Sequence, residues 1–312
     1  MADGWGAPPV APPTELILPR QYPPANQLNR AGAKLRGADL SHENLNRVDL
    51  TRSDLSGAKL EHTQLVDAQM ADINLSGATL AYANLTAASL RRANLLGAVL
   101  MGTTLNQATL SQANLAGANL TEAELYDVNF TEADLNHTML RRACLIGANL
   151  SGARMYRVNA NGAEFYGVNA CHTQLIEAQL QGCDLRRATL HQSNLTKANL
   201  NHANLNYANL IESEAKGVVL QYANLTWAHL HQTNLISADL KQVAMLHATL
   251  TATNLSGANL QSAQLDHATI QNSYLQGIIW HQTSVKGTHF EHPIGLSPSE
   301  KTWLRSQGAT IS

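Results

Sequence analysis

The sequence predicts an all-β solenoid, a chain wound into a narrow four-sided tube. Two regularities predict it. Every fifth residue from Leu35 to Phe290 is apolar, and most glycines of one column are spaced by multiples of twenty. Of the 52 positions in the five-residue register, forty are Leu and the others are Met, Phe, Ala, Ile, Trp or Val. A second column lies two residues earlier, from Ala33 to Thr288; thirty of its members are Ala and one, Glu43, is charged. Period five fits neither common element. On an α-helix each step would turn the residue by about 140°, and on a flat strand successive Leu would fall on opposite faces. Either leaves about half of the Leu in water, at roughly 1.5–3 kcal/mol each. That loss exceeds the stability of any ordinary domain. The chain must therefore bend at every repeat, so that each Leu points to a shared axis.

The glycines give the length of one turn. Gly37, Gly57, Gly77, Gly97, Gly117, Gly217, Gly257 and Gly277 differ by multiples of twenty. Four pentapeptides then make one coil, with Gly read as the residue of a corner that needs positive φ. About thirteen coils follow. At about 4.8 Å per backbone ladder the rod is roughly 60 Å long.

Three segments are expected. Residues 1–27 hold seven of the nine Pro and form a Pro-rich N-terminal arm or cap, with Leu16, Ile17 and Leu18 able to lie across the first coil. Residues 28–292 are the repeat array. Residues 293–312 are a C-terminal cap. There the core residues become bulky at Ile278, Trp280, Val285 and Phe290. Ser297-Pro298-Ser299-Glu300 then reads as a capping box with Pro at the first helical position. A short helix over 298–307 would lay Trp303 and Leu304 over the last coil, with Gly308 ending it.

The motif Ala-(Asp/Asn)-Leu-X-X, as at 83–85, 93–95, 113–115 and 223–225, resembles the pentapeptide-repeat family over about 85% of the chain. The resemblance implies a right-handed quadrilateral β-helix with the Leu and Ala columns inside. The uninterrupted array is most similar to cyanobacterial members. For function it implies a non-catalytic scaffold that binds proteins, including regulators of cell differentiation. It also implies an alternative: the quinolone-resistance members, which mimic duplex DNA and inhibit a type II topoisomerase, gyrase.

Composition narrows the rest. The chain has 21 Lys+Arg against 23 Asp+Glu, a net charge of −2, and only 14% charged residues. No basic excess exists to drive phosphate binding, so direct nucleic-acid binding is not expected. No strong acidic excess favours DNA mimicry by net charge, and Arg91, Arg92, Arg186 and Arg187 interrupt the walls. No apolar run reaches the ~18 residues of a membrane span, and no secretory signal is read at the start. Three Cys make no disulfide framework, so a cytoplasmic protein is expected. Neither a GxSxG, a P-loop nor an HExxH motif occurs, and an apolar interior offers no cleft. Neither an enzyme nor a cofactor is expected. His42 with His62, and His247 with His267, share outer columns, but two His alone make a weak metal site. Cys183 takes an inward position; Cys144 and Cys171 point outward in different columns.

Function must then sit on the outside. One outer column reads Tyr126, Ile146, Tyr166, Arg186; its neighbour reads Gly147, Gly167, Arg187, Tyr207, Trp227, His247, His267. Tyr, Trp and Arg are the residues enriched at binding hot spots. The candidate partner-binding residues are Tyr126, Ile146, Tyr166, Arg186, Arg187, Tyr207 and Trp227. The alternative for the same residues is aromatic stacking that only helps adjacent rungs pair. An acidic cluster, Glu122, Glu124, Asp127, Glu132 and Asp134, faces Arg141 and Arg142 of the next coil and reads as salt-bridge rungs. A homodimer through a flat wall is also open.

Overall fold

The computed structural model describes residues 29–312. The expected arm over 1–27 lies outside the described residues. From Asn29 onward the chain repeats one unit. The residue before each core position forms a parallel bridge with the residue twenty further on: Asn29 with Asp49, Lys34 with Asp54, Asp39 with Lys59, Asn44 with Gln64, and so on to Tyr274 with Ile294. Each rung therefore spans four pentapeptides, as the glycine spacing implied. Towards the C-terminus the bridges lengthen into strands β1 (Thr249–Thr251), β2 (Thr269–Gln271) and β3 (His289–Glu291), paired in parallel.

One pentapeptide shows why the unit works. Asp54 donates its N–H to Ala33 O at 2.9 Å, Leu55 to Asn74 O at 2.7 Å and Gly57 to Ser76 O at 2.9 Å. Ala58 N–H closes a β-turn onto Leu55 O at 3.0 Å. That leaves Ser56 N–H, which the coil-to-coil ladder does not reach. The Asp54 carboxylate accepts it at 3.1 Å. All five backbone donors are satisfied, as a buried or half-buried backbone requires. This accounts for the Asn/Asp column before Leu: its side chain makes an Asx turn over the one orphan N–H.

At five corners where that column holds another residue, the donor is rescued from the coil before; at others, such as Ala71 after Gln69 and Met101 after Val99, this N–H has no partner among the described residues and the residue is partly open to solvent. Val66, Tyr126, Tyr156 and Gln181 follow Gln64, Glu124, Arg154 and Gln179; their N–H groups go to Asn46, Asn106, Asn136 and Asn161 Oδ1 at 2.8–3.0 Å. Lys286 N–H goes likewise to Asp266 at 2.8 Å. These Asn sit twenty residues earlier in the turn, so the rescue is written into the sequence one coil ahead.

The corners correct one inference. Positive φ is not confined to the glycine column. The second turn residue of every pentapeptide has it, from Gly32 to His292, with Gly, His, Arg, Tyr, Gln or Glu alike near +50° to +70°. Hence residues 137–197 keep the same backbone: His137, Arg157, Glu177 and Lys197 stand at φ 57°, 51°, 56° and 56°. The middle coils differ in side chains and not in path. The physical restriction shows as an exclusion. No Val, Ile or Thr occupies this position, whereas Val66, Thr86, Ile146 and Ile211 occupy the residue just before it. A β-branched side chain is the one that left-handed backbone tolerates least.

The interior is a single apolar column of Leu and Ala, nearly all fully buried. Its hydroxyls are paired. Thr63, Thr138, Thr173 and Thr283 Oγ1 donate to Leu40, Leu115, Leu150 and Leu260 O at 2.8–3.0 Å. Cys183 lies in this column with Sγ on Ala160 O at 2.9 Å, and burial pushes its thiol up to about 12. Where Ala160 and Ala170 replace Leu, Met155 and Phe165 fill part of the space, and an apolar cavity of about 10 Å³ remains beside Phe165, Ala170 and Leu180.

The C-terminal helix α1 runs Pro298–Ser306, one residue shorter than expected. Ser297 Oγ accepts from Glu300 N–H at 3.3 Å and Glu300 Oε2 accepts from Ser297 N–H at 2.8 Å, completing the capping box. Leu304 is fully buried, and Trp303 packs half-buried beside Trp280, ring centroids 6.4 Å apart. The sequence reading missed a last strand. After α1 the chain returns as β4 (Thr310–Ile311), pairing with β3 through Phe290 and Ile311.

Three outcomes follow from these observations. Ala87 is exposed at φ 57° with no interaction to lose. Ala87→Gly should match or raise the melting temperature, and Ala87→Val should cost about 1–2 kcal/mol, read by thermal denaturation. The Thr51 hydroxyl and N–H hold the Asp49 carboxyl below its ordinary value. Its contribution is therefore present above the unfolded pKa, near about 4, and is lost as pH falls through the lower folded value. Asp49→Asn should flatten the acid limb of stability there. Iodoacetamide at pH 8 should spare Cys183 in the native protein while reaching the half-exposed Cys144, as read by peptide mass spectrometry.

Candidate functional site

The apolar lumen leaves chemistry to the outer walls. Among the described residues no group of three or more His, Cys, Asp and Glu is placed to hold a metal ion. His42 and His62 stack flat, with centroids 5.0 Å apart and planes within 10°. A shared metal at about 2.0–2.1 Å from each nitrogen would need their lone pairs to converge, and parallel rings at this spacing do not.

The structure divides the predicted strip in two. Tyr207 and Trp227 belong to one continuous stack, Tyr207–Trp227–His247–His267, with centroid separations of 6.2, 4.3 and 5.3 Å and planes within 11°. Tyr207 is 50% exposed and Trp227 44%. The second part does not assemble as a ladder. Tyr126 is exposed, Ile146 and Tyr166 are half-buried, and no ring contact joins Tyr126 to Tyr166 among the described residues. Tyr166 instead lies under the Arg186 guanidinium, 5.5 Å from its centroid. Arg186 is itself held by Asp184 through two hydrogen bonds of 2.8 and 2.6 Å, which keep the Asp184 carboxyl below its usual range. Beside the strip, the Asp127 carboxylate lies over Gly147, whereas nothing stands over Gly167. Arg187 is exposed and makes no ion pair among the described residues.

Two further ladders stand outside the predicted strip; the sequence reading placed His42 with His62 in one column but connected neither Tyr82 to them nor His202 to Tyr222. His42–His62–Tyr82 stack at 5.0 and 5.3 Å, and His202–Tyr222 at 4.7 Å. The signal was available: all lie at the second turn position, twenty residues apart. What hid it was mixing His with Tyr in one column. A shared rule ends the two longer stacks. A Cβ added to Gly102 would meet the Tyr82 ring at 2.6 Å, and one on Gly287 would meet the His267 ring at 2.7 Å. Each ladder leans toward the next coil and finishes over a residue with no side chain.

The charged rungs resolve as pairs. Arg142 reaches Glu122 at 3.5 Å, Arg154 reaches Asp134 at 3.0 Å, and Gln112 donates to Glu132 at 2.9 Å. The acidic cluster of one coil is thus spread over neighbouring rungs. Arg92 clasps Asp72 at 2.6 and 2.7 Å and holds that carboxyl low. Such exposed pairs contribute little to stability. No helix among the described residues is long and apolar enough to cross a membrane.

Comparison with known proteins places these features. The family described as pentapeptide repeats (8 copies) matches overlapping segments running from residue 31 to 169 and from 173 to 279. No curated protein matches the chain. Among solved structures, the chain is 28% identical to HetL, a pentapeptide repeat protein involved in heterocyst differentiation regulation from the cyanobacterium Nostoc sp. strain PCC 7120. That match covers 79% of this chain and 89% of the other at a TM-score of 0.23. Rfr23 from the cyanobacterium Cyanothece 51142 is 27% identical over 38% of this chain and 91% of its own, TM-score 0.24. QnrB1, a plasmid-mediated fluoroquinolone resistance protein, is 18% identical over 72% and 94%, TM-score 0.24. Superpositions this loose carry no argument, whereas the repeat match covers most of the array. On that match, and on the five-residue unit with its twenty-residue rung, the chain belongs to the pentapeptide-repeat family.

Proposed function

We propose that this protein is a non-catalytic, regulatory scaffold that binds a partner protein through an outer wall of the rod. The rod is read as a right-handed, four-sided β-helix of about thirteen coils, with the N-terminal arm and the C-terminal helix as its caps, working in the cytoplasm. The observation that carries the reading is the exposed stack Tyr207–Trp227–His247–His267 on a backbone whose interior is filled by apolar side chains. Aromatic side chains ordered by stacking lose little entropy on binding, and such residues dominate interface energetics. Tyr126, Ile146, Tyr166, Arg186 and Arg187 extend the same surface toward the N-terminus.

The alternative, inhibition of gyrase by DNA mimicry, needs a wall of negative charge. Here Arg92, Arg142, Arg154 and Arg186 neutralise Asp72, Glu122, Asp134 and Asp184, leaving Glu124, Asp127 and Glu132 as an isolated group and not a continuous acidic wall. A gyrase supercoiling assay separates the two readings. No inhibition at micromolar protein is expected. A pull-down comparing the wild type with Tyr166→Ser plus Trp227→Ser should lose its main partner, at unchanged circular dichroism. An identical partner set in both would discard the strip.

A further inference from the structure

Two aromatic ladders stand at opposite edges of one wall and at the same height. His202–Tyr222 occupies one edge, stacked within 6°, and Tyr207–Trp227–His247 the other. Tyr222 is 51% exposed, as open as Tyr207. Between the edges the outward residues are Asn204, Asn224 and Ala244. Asn204 and Asn224 use Oδ1 to accept the N–H groups of Asn206 and Thr226 at 3.2 and 3.0 Å, and their Nδ2 groups have no acceptor among the described residues. From His202 to His247 the outward positions of this wall carry no Asp, Glu, Lys or Arg. Charge depletion with aromatic enrichment is the composition of an interface centre. One coil below Tyr207, on the same corner, stands the exposed and unpaired Arg187, beside Arg186 and the Asp184 that Arg186 neutralises directly below Asn204, so that this coil of the wall carries one net positive charge.

Resting on the reading that an outer wall binds a protein, we infer the chemistry of what it binds. The wall takes a single extended segment of a partner, running along the rod axis, with an acidic residue three positions from an aromatic one. The carboxylate pairs with Arg187. The aromatic ring lies between the two edges of the wall against the rim of Trp227, whose two faces are already used by Tyr207 and His247, and beside Tyr222. Edge-to-face contact is a favoured aromatic geometry. Backbone carbonyls of the segment meet the free Nδ2 groups of Asn204 and Asn224. The spacing follows from the ladder. Arg187 and Trp227 are two coils apart, about 10 Å, which is about three residues of extended chain. A second copy of this protein does not suit the site. Three rungs span roughly 10–15 Å, a patch on the order of 100–200 Å², far less than the ~800 Å² per partner of a stable dimer.

The probe is a fluorescein-labelled peptide, Gly-Ser-Asp-Ser-Gly-Trp-Ser-Gly, together with its reversed sequence, since either chain direction fits. Fluorescence polarisation with the full chain should show saturable binding of one of them at about 10–100 μM. Replacing the peptide's Asp by Lys should weaken binding about tenfold, and Arg187→Glu in the protein should do the same to the Asp peptide. Arg187→Glu should also improve binding of the Lys peptide, a reversal that misfolding would not produce. Tyr222→Ser should weaken binding several-fold, while Tyr82→Ser on the separate ladder should not. Binding of neither peptide, or an Arg187→Glu protein that fails to distinguish Asp from Lys, overturns the inference. If the pull-down loses its partner with Tyr166→Ser plus Trp227→Ser but keeps it with Arg187→Glu and with Tyr222→Ser, the scaffold reading stands and this inference alone falls.

Discussion

A pentapeptide in this chain has five backbone donors to satisfy and one large apolar side chain to bury. Everything else follows from meeting both at once. The ladder to neighbouring coils takes three N–H groups, and the turn takes a fourth. The fifth, at the first turn residue, faces neither. It is met by a carboxylate or amide two residues earlier, as Asp54 does for Ser56 and Asn84 for Thr86. An unmet buried donor costs about 1–3 kcal/mol. The first turn residues are half-buried or exposed, so water serves the corners that lack such an acceptor, and each Asn or Asp contributes a fraction of that cost. The Asn/Asp column thus supports the coil where it occurs, whereas the Leu column is kept apolar at every repeat.

The same constraint explains how much of the fold could be read in advance. Burial by a strict period is legible because a slip of one residue would turn Leu35 and all its successors outward. The twenty-residue rung was legible too, but for a reason only partly right. Gly37, Gly57 and Gly77 mark one corner, yet Arg47, Tyr82 and Gln107 adopt the same positive φ at the others. The stronger sign was the absence of β-branched residues at that position, an exclusion rather than a presence. The rescue of Tyr126 N–H by Asn106 was not legible: the twenty-residue coil makes the two residues neighbours, but whether Asn106 turns its amide to the next coil is set by side-chain torsions the sequence does not carry. The strand Thr310–Ile311 was hidden for another reason. It lies beyond the repeat and takes its register from the end of the stack.

At the candidate surface, sequence reasoning located residues but not their geometry. It grouped Tyr126, Ile146 and Tyr166 as one ladder because they share a column. Column sharing fixes height and corner, and the side-chain torsions decide the rest. Tyr166 turned to the Arg186 guanidinium, while Tyr207 and Trp227 turned to each other. The difference follows from the neighbours. A stack needs a ring on the next rung, and Trp227 has Tyr207 below and His247 above. Tyr126 and Tyr166 are separated by Ile146, which has no π face to offer.

A uniform backbone changes where specificity resides. In an irregular fold, loops position functional groups. Here every corner has the same path, so no loop differs from another, and a wall is distinguished only by which side chains stand on it. Stacking then does two things. It orders rings such as Trp227 without burying them, so little rotamer freedom remains to be lost when a partner arrives. It also turns their faces along the rod and their edges outward. What the wall presents to solvent is a row of C–H edges, an indole N–H and imidazole nitrogens, bounded by the Asp184–Arg186 ion pair and Arg187 below and by Asp266 above. On the reading proposed above, a surface of that kind would discriminate by the shape and polarity of a narrow segment. It offers neither the deep cavity that would enclose a metabolite nor the continuous charge that would follow a nucleic-acid backbone.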